Sequence, residues 1–372
     1  MNKRSLIYIA LVSALLAGCS MGPAYERPAA ELPEAWLALP AQGKTMPAER
    51  WWTVYGDATL DHLVTEALAG NQDLALATAR LDEARALARI ADAEQAPSVD
   101  AAFQRDRSRR SNSTATRFPG ALENNNYRAQ LNVAYEIDLW GRLSNSSKAA
   151  RAELLATTAA RETVRIALTA EVARSYYALV SFDAQIAATR RSLELRQQDF
   201  RLQRTRADAG LINEFTLRQL EAEVLAAQAQ LPALERRRTG EELALGVLLG
   251  RSPRALINDS VTRTAETGQP ATPVIPADLP SSLLLRRPDV VAAEQQLIAA
   301  NARIGAARAA LFPRIGLSGY LGSESAALTD LFTGPAGIWS IGFALAQPIF
   351  QGGRLFGEIE AVEGRERQAL AQ

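Results

Sequence analysis

The 67 residues from Leu143 to Ala209 contain neither proline nor glycine. Nothing in that stretch removes a backbone donor or loosens the chain, so a helix once begun has no reason to stop. At 1.5 Å per residue it makes a rod of roughly 100 Å, several times a normal globular helix. The rod carries two apolar stripes. Ala159, Thr163, Ile166, Ala170, Ala173, Tyr177, Val180, Ala184 and Ala187 step by four and three, and so do Leu168, Val172, Ser175, Leu179, Phe182, Ile186, Thr189 and Leu193. The stripes begin nine residues apart, which at about 100° per residue sets them on opposite sides. One stripe makes an ordinary coiled coil. Two opposed stripes make a stave that packs on a neighbour to each side. Such a helix fits a hollow cylinder of helices or the centre of a large bundle, and periodicity alone leaves both open.

The rod turns at Ala209-Gly210-Leu211-Ile212-Asn213. Gly210 suits the left-handed position after a helix, and Asn213 can cap the next one. Glu214 to Leu249 returns, with a kink expected at Pro232, and Gly250 ends it.

At the N-terminus, Lys3 and Arg4 precede an apolar run from Leu6 to Ala17. The run is too short to span a bilayer, so residues 1–18 read as a signal peptide. It closes on Leu16-Ala17-Gly18-Cys19. This is either a bacterial lipobox, with Cys19 the lipid-bearing first residue of the mature chain, or a secretory peptide with a chance cysteine. Ser20 in place of Asp favours the outer membrane, by analogy with other bacterial lipoproteins. Cys19 is the only cysteine, so no intrachain disulfide can form.

Charges balance, with 41 Lys and Arg against 41 Asp and Glu, so no basic surface argues for nucleic acid. The single histidine, His62, has no Cys or His companions for a metal site and reads as a helix-surface residue. No phosphate loop, HExxH or GxSxG occurs; Gly316-Leu317-Ser318-Gly319 lacks the spacing of the last. Asn112-Ser113-Thr114 fits a glycosylation sequon that has no use in a bacterial lipoprotein. The chain reads as no enzyme, with no cofactor, metal or catalytic residues.

Residues 19–55 are set apart as a lipidated N-terminal tether, Pro-rich and extended over 20–50, with Trp51 and Trp52 beginning the packed part. A short helix spans Asp57 to Ala69, and Asn71-Gln72-Asp73 caps another running to Ala96. Pro97 switches the period from 3.6 to 2. Strands are expected over about 98–108 and 127–139, with a polar stretch between. In the second, Leu131, Val133, Tyr135, Ile137 and Leu139 point one way, and Asn132, Ala134, Glu136 and Asp138 the other. Acidic residues inside an apolar-out strand fit a barrel with a wet lumen, so Asn132, Glu136 and Asp138 are candidate lumen residues. The edge of a soluble sandwich alternates in the same way, but two strands cannot stand alone.

The pattern then repeats. Asp73, Ala77, Leu81, Ala84, Ala86, Ala91, Ala93 and Pro97 recur as Asp289, Ala293, Leu297, Ala300, Ala302, Ala307, Ala309 and Pro313, at a constant offset of 216. Strands over about 314–322 and 338–349 follow, and Gly141-Arg142-Leu143 recurs as Gly353-Arg354-Leu355. A helix–strand–strand–long helix unit has been duplicated. The first copy spans 56–282, with its hairpin at 143–250. The second spans 283–372, with the start of a long helix at 355–372.

Cys19 with GPAYERP (Gly22 to Pro28), WWTVYGD (Trp51 to Asp57), the run from Leu285 to Pro313, and QPIFQGGRL (Gln347 to Leu355) together resemble the TolC-like outer-membrane efflux proteins. The likeness is to the lipoprotein branch that serves RND-type tripartite pumps. It implies a mainly helical chain with a membrane β-barrel part, in which a homotrimer shares a twelve-stranded barrel in the outer membrane. A tunnel of helices would hang from it into the periplasm. It also implies partners: a periplasmic adaptor and, through it, an inner-membrane RND-type pump. The adaptor would meet the tip residues Gly210, Leu211, Ile212, Asn213 and Glu214. The family often has Ser where Asn213 stands and Asp where Thr216 stands. Four strands cannot close a membrane barrel, whose smallest examples have about eight, so chains must share one. The alternative is a periplasmic scaffold or adaptor lipoprotein without a pore. It has no use for four alternating strands. An envelope hydrolase lacks a catalytic constellation. Against the first copy, the second stops about five helical turns into its rod, so a second hairpin is expected to be missing and the chain to be C-terminally truncated.

Overall fold

The computed structural model describes residues 21–28, 49–111, 113, 122–252, 254–255, 261 and 286–372. The signal peptide, Cys19, most of the tether and Asn112 lie outside them. Helices α1 (Ala58–Gly70) and α2 (Gln72–Ala93) precede strands β1 (Ser98–Arg109) and β2 (Glu123–Ile137). The rod α3 (Arg142–Asp208) and its return α4 (Glu214–Leu248) follow. Then come α5 (Pro288–Ala309), β3 (Arg314–Ser325), β4 (Gly337–Ala346) and α6 (Arg354–Ala371).

The described residues form two compact units, and α2 and α3 contribute to both. In one unit the core joins α1, the rod and the return. Leu60, Leu63 and Val64 pack with Leu168, Val172, Tyr176 and Leu179, and with Leu245 and Leu249. Asp57 starts α1 by accepting from the Thr59 and Leu60 N–H groups at 2.8 and 3.1 Å. Its other oxygen accepts the Tyr176 hydroxyl at 2.7 Å. Asn71 caps α2 by accepting from Leu74 N–H at 3.0 Å, and its amide donates to the Leu248 carbonyl at 3.0 Å. One side chain thus ties a helix start to a helix end. Gly250 turns here with φ +73, and a Cβ on it would lie 2.0 Å from the Gly70 carbonyl oxygen. Only glycine fits. Arg251 clamps Glu66 at 2.7 and 2.9 Å.

The two stripes of the rod fare differently. Leu168, Val172, Ser175, Leu179 and Ile186 are buried within the chain; of the opposed stripe Ala159 and Ala173 are buried as well, while Ile166, Ala170, Ala184 and Ala187 are exposed. Tyr177, on the same stripe as Ala173, packs at the edge of the core. Burial, with the charge of Asp57 adding to it, pushes its phenol up to about 12. His62 is exposed on α1.

The other unit holds a four-stranded antiparallel sheet in the order β1-β2-β3-β4. Several boundaries differ from expectation, β3 for one running on to Ser325 rather than 322. The β1–β2 ladder runs on to Arg109 and Glu123, because backbone pairing continues where apolar alternation has ceased. β4 stops at Ala346 rather than near 349, since Pro348 has no N–H to donate. Asp138 lies just past β2 and is not a strand residue. In the hairpin, α4 continues through Pro232 as one element, at the cost of the hydrogen bond the Gln228 carbonyl would accept.

Candidate functional site

The register of the sheet sorts its side chains into two faces. On one, rows of cross-strand neighbours read Ile137, Ile315, Leu345; then Tyr135, Leu317, Phe343; then Val99, Val133, Gly319, Ile341; then Ala101, Leu131, Leu321, Trp339. The next row holds Phe103, Ala129 and Ser323. Val99, Phe103, Leu131, Val133, Trp339, Ile341, Phe343 and Leu345 are all exposed. From Ile137 to Ala129 the face runs about 27 Å along the strand. A tilt of about 40° reduces that to roughly 20 Å, near the height of a membrane barrel's apolar band. A water-facing sheet has no reason to leave such a surface bare.

The opposite face is polar. Asp100, Asn132, Tyr320 and Ser340 share a row, and Gln104, Arg128 and Glu324 share another. Gln130 donates to Asn132 Oδ1 at 2.7 Å, and Asn126 to Glu324 at 2.8 Å. The Arg128 guanidinium lies 5.1 Å from the centre of the Tyr320 ring. Asn132 and Glu136 therefore stand on the polar face, as the alternation requires. Among the described residues, β1 and β4 each have one unpaired edge.

Where β2 hands over to the rod, polar groups are used locally. Glu136 takes a two-pronged contact from Arg142 at 3.0 and 2.8 Å, and hydrogen bonding to Glu136 raises the Arg142 pKa above its ordinary value. Asp138 accepts from the Leu143 and Ser144 N–H groups at 3.1 and 2.7 Å. It satisfies orphan donors at the positive end of the rod, which corrects its reading as a lumen-facing strand residue. Trp140 donates to the Pro313 carbonyl at 2.9 Å and stacks on Phe312 with ring centres 4.8 Å apart. Sequence reasoning missed Trp140 and Arg142. An aspartate three residues before a glycine at a helix start was the available signal for the cap.

The tip of the hairpin is built as expected, in more detail. Gly210 has φ +73, Leu211 N–H donates to the Arg206 carbonyl at 2.8 Å, and Gly210 N–H to the Ala207 carbonyl at 2.8 Å. That is the Schellman pair. Asn213 Oδ1 accepts from Thr216 N–H at 2.9 Å and from the Thr216 hydroxyl at 2.8 Å. Asn213 and Thr216 thus form a self-contained cap. Leu211 and Phe215 stand 73% and 77% exposed, with Ile212 partly covered. Glu214 is exposed and pairs with Arg218 at 3.3 Å.

Residues 21–28 lie along α5. Arg27 grips Glu294 through two nitrogens, at 2.5 and 2.9 Å, and the Tyr25 hydroxyl donates to the same carboxylate at 3.2 Å. Gly305 admits this strap: a Cβ there would sit 2.9 Å from Gly22 Cα and 2.8 Å from Asn145 Nδ2. Among the described residues, no cluster of three His, Cys, Asp or Glu side chains could hold a metal, and no helix is long and apolar enough to cross a membrane.

Residues 63–251 and 279–372 match the family model described as outer membrane efflux protein. The chain is 35% identical to the solvent efflux pump outer membrane protein SrpC of Pseudomonas putida, over 98% of this chain and 77% of that one. It is 31% identical to the probable outer membrane lipoprotein SilC of Salmonella typhimurium, over 100% and 79%. A membrane protein of Pseudomonas aeruginosa superposes with a TM-score of 0.84 at 34% identity, covering 95% of this chain and 79% of that one.

Proposed function

The chain belongs to the outer membrane efflux protein family, and on that premise we propose that three copies close one twelve-stranded barrel through which solutes leave the periplasm passively. One observation supports this most. The sheet has an apolar face of membrane height, a polar face behind it, and an open edge on each side. Hydrocarbon tolerates no open strand edge, and four strands are too few to close. Asn132 and Glu136 then line the pore. The exposed stripe of the rod, Ile166, Ala170, Ala184 and Ala187, packs on a neighbouring copy. Cys19 carries the lipid, and the strap held by Glu294 begins two residues beyond it. Gly210, Leu211, Ile212, Asn213 and Glu214 meet a periplasmic adaptor, which links the channel to an RND-type inner-membrane pump. Residues 56–282 and 283–372 are the two repeats. A pore-less scaffold lipoprotein leaves the four strands unused and is not favoured.

The test is a pair of substitutions on adjacent residues of β2. Val133→Arg places a charge on the lipid side and should cost about 2–4 kcal/mol at mid-membrane depth, against little for Asn132→Arg. The readout is the yield of heat-modifiable trimer in outer-membrane fractions. Equal yields would show that the faces are misassigned.

A further inference from the structure

The apolar face of β1 does not end in neutral loop residues. Beyond Val99, Ala101 and Phe103, the same face continues as Arg105, Arg107 and Arg109, opposite Tyr127, Asn125 and Glu123 of β2. Asp106 and Ser108, between them, belong to the polar face. The three arginines are exposed. Two of them share one carboxylate: Glu123 meets Arg107 at 2.9 Å and Arg109 at 3.8 Å. The Arg105 guanidinium lies over the Tyr127 ring, 5.6 Å from its centre. Both strand-to-strand loops lie at this end of the sheet, while the helices leave from the other.

We propose that Arg105, Arg107 and Arg109 bind the phosphorylated sugar headgroup of the glycolipid in the outer leaflet. The inference rests on the barrel reading, which puts this end of the sheet at the outer surface. Arginine matches phosphate through a planar fork of donors, and cations just beyond an apolar band meet headgroups rather than hydrocarbon. Tyr127 supplies the aromatic partner typical of that depth. Charges also guard open strand edges, but that use has no preference between faces. Here the arginines take successive outward positions on β1, where the acidic residue between them, Asp106, faces inward; against the three, the outward face sets the single carboxylate of Glu123.

The experiment uses the full chain purified as its trimer, with lipid A carrying two phosphates as the probe. Arg105→Gln/Arg107→Gln/Arg109→Gln should weaken binding by about tenfold to a hundredfold, on the order of one decade or less per charge. The matching triple Lys variant should keep most of it, and removing the phosphates from the probe should reproduce the loss. Unchanged binding by the Gln variant overturns the proposal, and so does equal affinity for dephosphorylated lipid A or for phosphatidylglycerol vesicles. So does a Gln variant that loses trimer while each remaining trimer binds normally, for that would place the arginines between copies. If the wild-type chain forms no heat-resistant trimer, the barrel reading fails first and this proposal falls with it.

Discussion

In the first repeat, Asp92 near the end of α2 accepts from Ser147 and Arg151 on α3, at 2.5 and 3.0 Å. In the second, Arg308 near the end of α5 reaches Glu363 on α6 at 2.8 Å. Asp92 and Arg308 are related by the offset of 216 that relates the matched helices, and Arg151 and Glu363 by the 212 that relates Gly141 to Gly353. The ion pair has been kept at equivalent places and its charges exchanged. Duplication preserved the approach of two helices and left the sign free. The sign nevertheless has a use. Were α2 to seat against α6 as α5 does, Asp92 would meet Glu363. Exposed pairs add little stability, but like charges penalise the wrong pairing.

The two strand-to-helix junctions differ as well. Asp138 caps α3, and Trp140 closes over Phe312. The equivalent of Asp138 is Phe350, and α6 begins at Arg354, after Gly353, with no side-chain cap. Ile349 and Phe350 stand 89% and 88% exposed. The first junction is complete within its chain. The second leaves apolar groups for something else to cover.

The largest expected effect tests that asymmetry. Ile349→Asp with Phe350→Asp should leave helical content unchanged and abolish the heat-resistant trimer. Each side chain forfeits about 1.5–3 kcal/mol if a neighbouring copy buries it. Trimer retained at wild-type yield would mean that no copy covers this junction. A smaller effect is expected at the first junction. Asp138→Ala should destabilise the fold by about 1–2 kcal/mol through loss of the cap. Asp138→Asn should fall between, since an amide oxygen still accepts; identical melting of all three would show that the rod needs no cap. The smallest effect belongs to the reversed ion pairs. Asp92→Arg should lower the melting temperature less than Asp138→Ala, and adding Arg151→Asp should restore it. No recovery would mean that charge sign does not matter there. Hydrogen bonds from Arg151, then Ser147, hold the Asp92 carboxyl below the usual carboxylate value. Its contribution is therefore full above about pH 4 and fades as pH falls through the lowered value, so the effect of Asp92→Arg should shrink in acid.

Much of this was legible in the sequence because its signals are local. Proline and glycine are absent from the rod, and Gly210 and Asn213 mark its turn within five residues. Alternation gave both faces of β2 from Leu131 to Ile137. Strand ends were not legible, for a reason that differs by site. Arg105 to Arg109 and Glu123 to Asn126 keep the hydrogen-bond ladder after apolarity stops, whereas Gln347 to Phe350 keep an apolar rhythm after Pro348 has ended the ladder. Asp138 continued the alternation by position while its carboxylate served the helix beyond. The strap was invisible because Arg27 and Glu294 are 267 residues apart, and no spacing rule reaches that far.

The two open edges of the sheet carry a consequence for how pores accumulate. A barrel closed by one chain inserts at a rate proportional to the number of chains. If closure takes three, as proposed, and pairs of chains form and part freely before a third joins, the rate before saturation rises with the cube of that number, so doubling expression gives about eightfold more insertion events. Initial insertion measured against chain concentration would show the order directly. A cell holding such a chain can then set its pore density over a wide range with a modest change in transcription, and at low copy number nearly all of its chains remain unassembled.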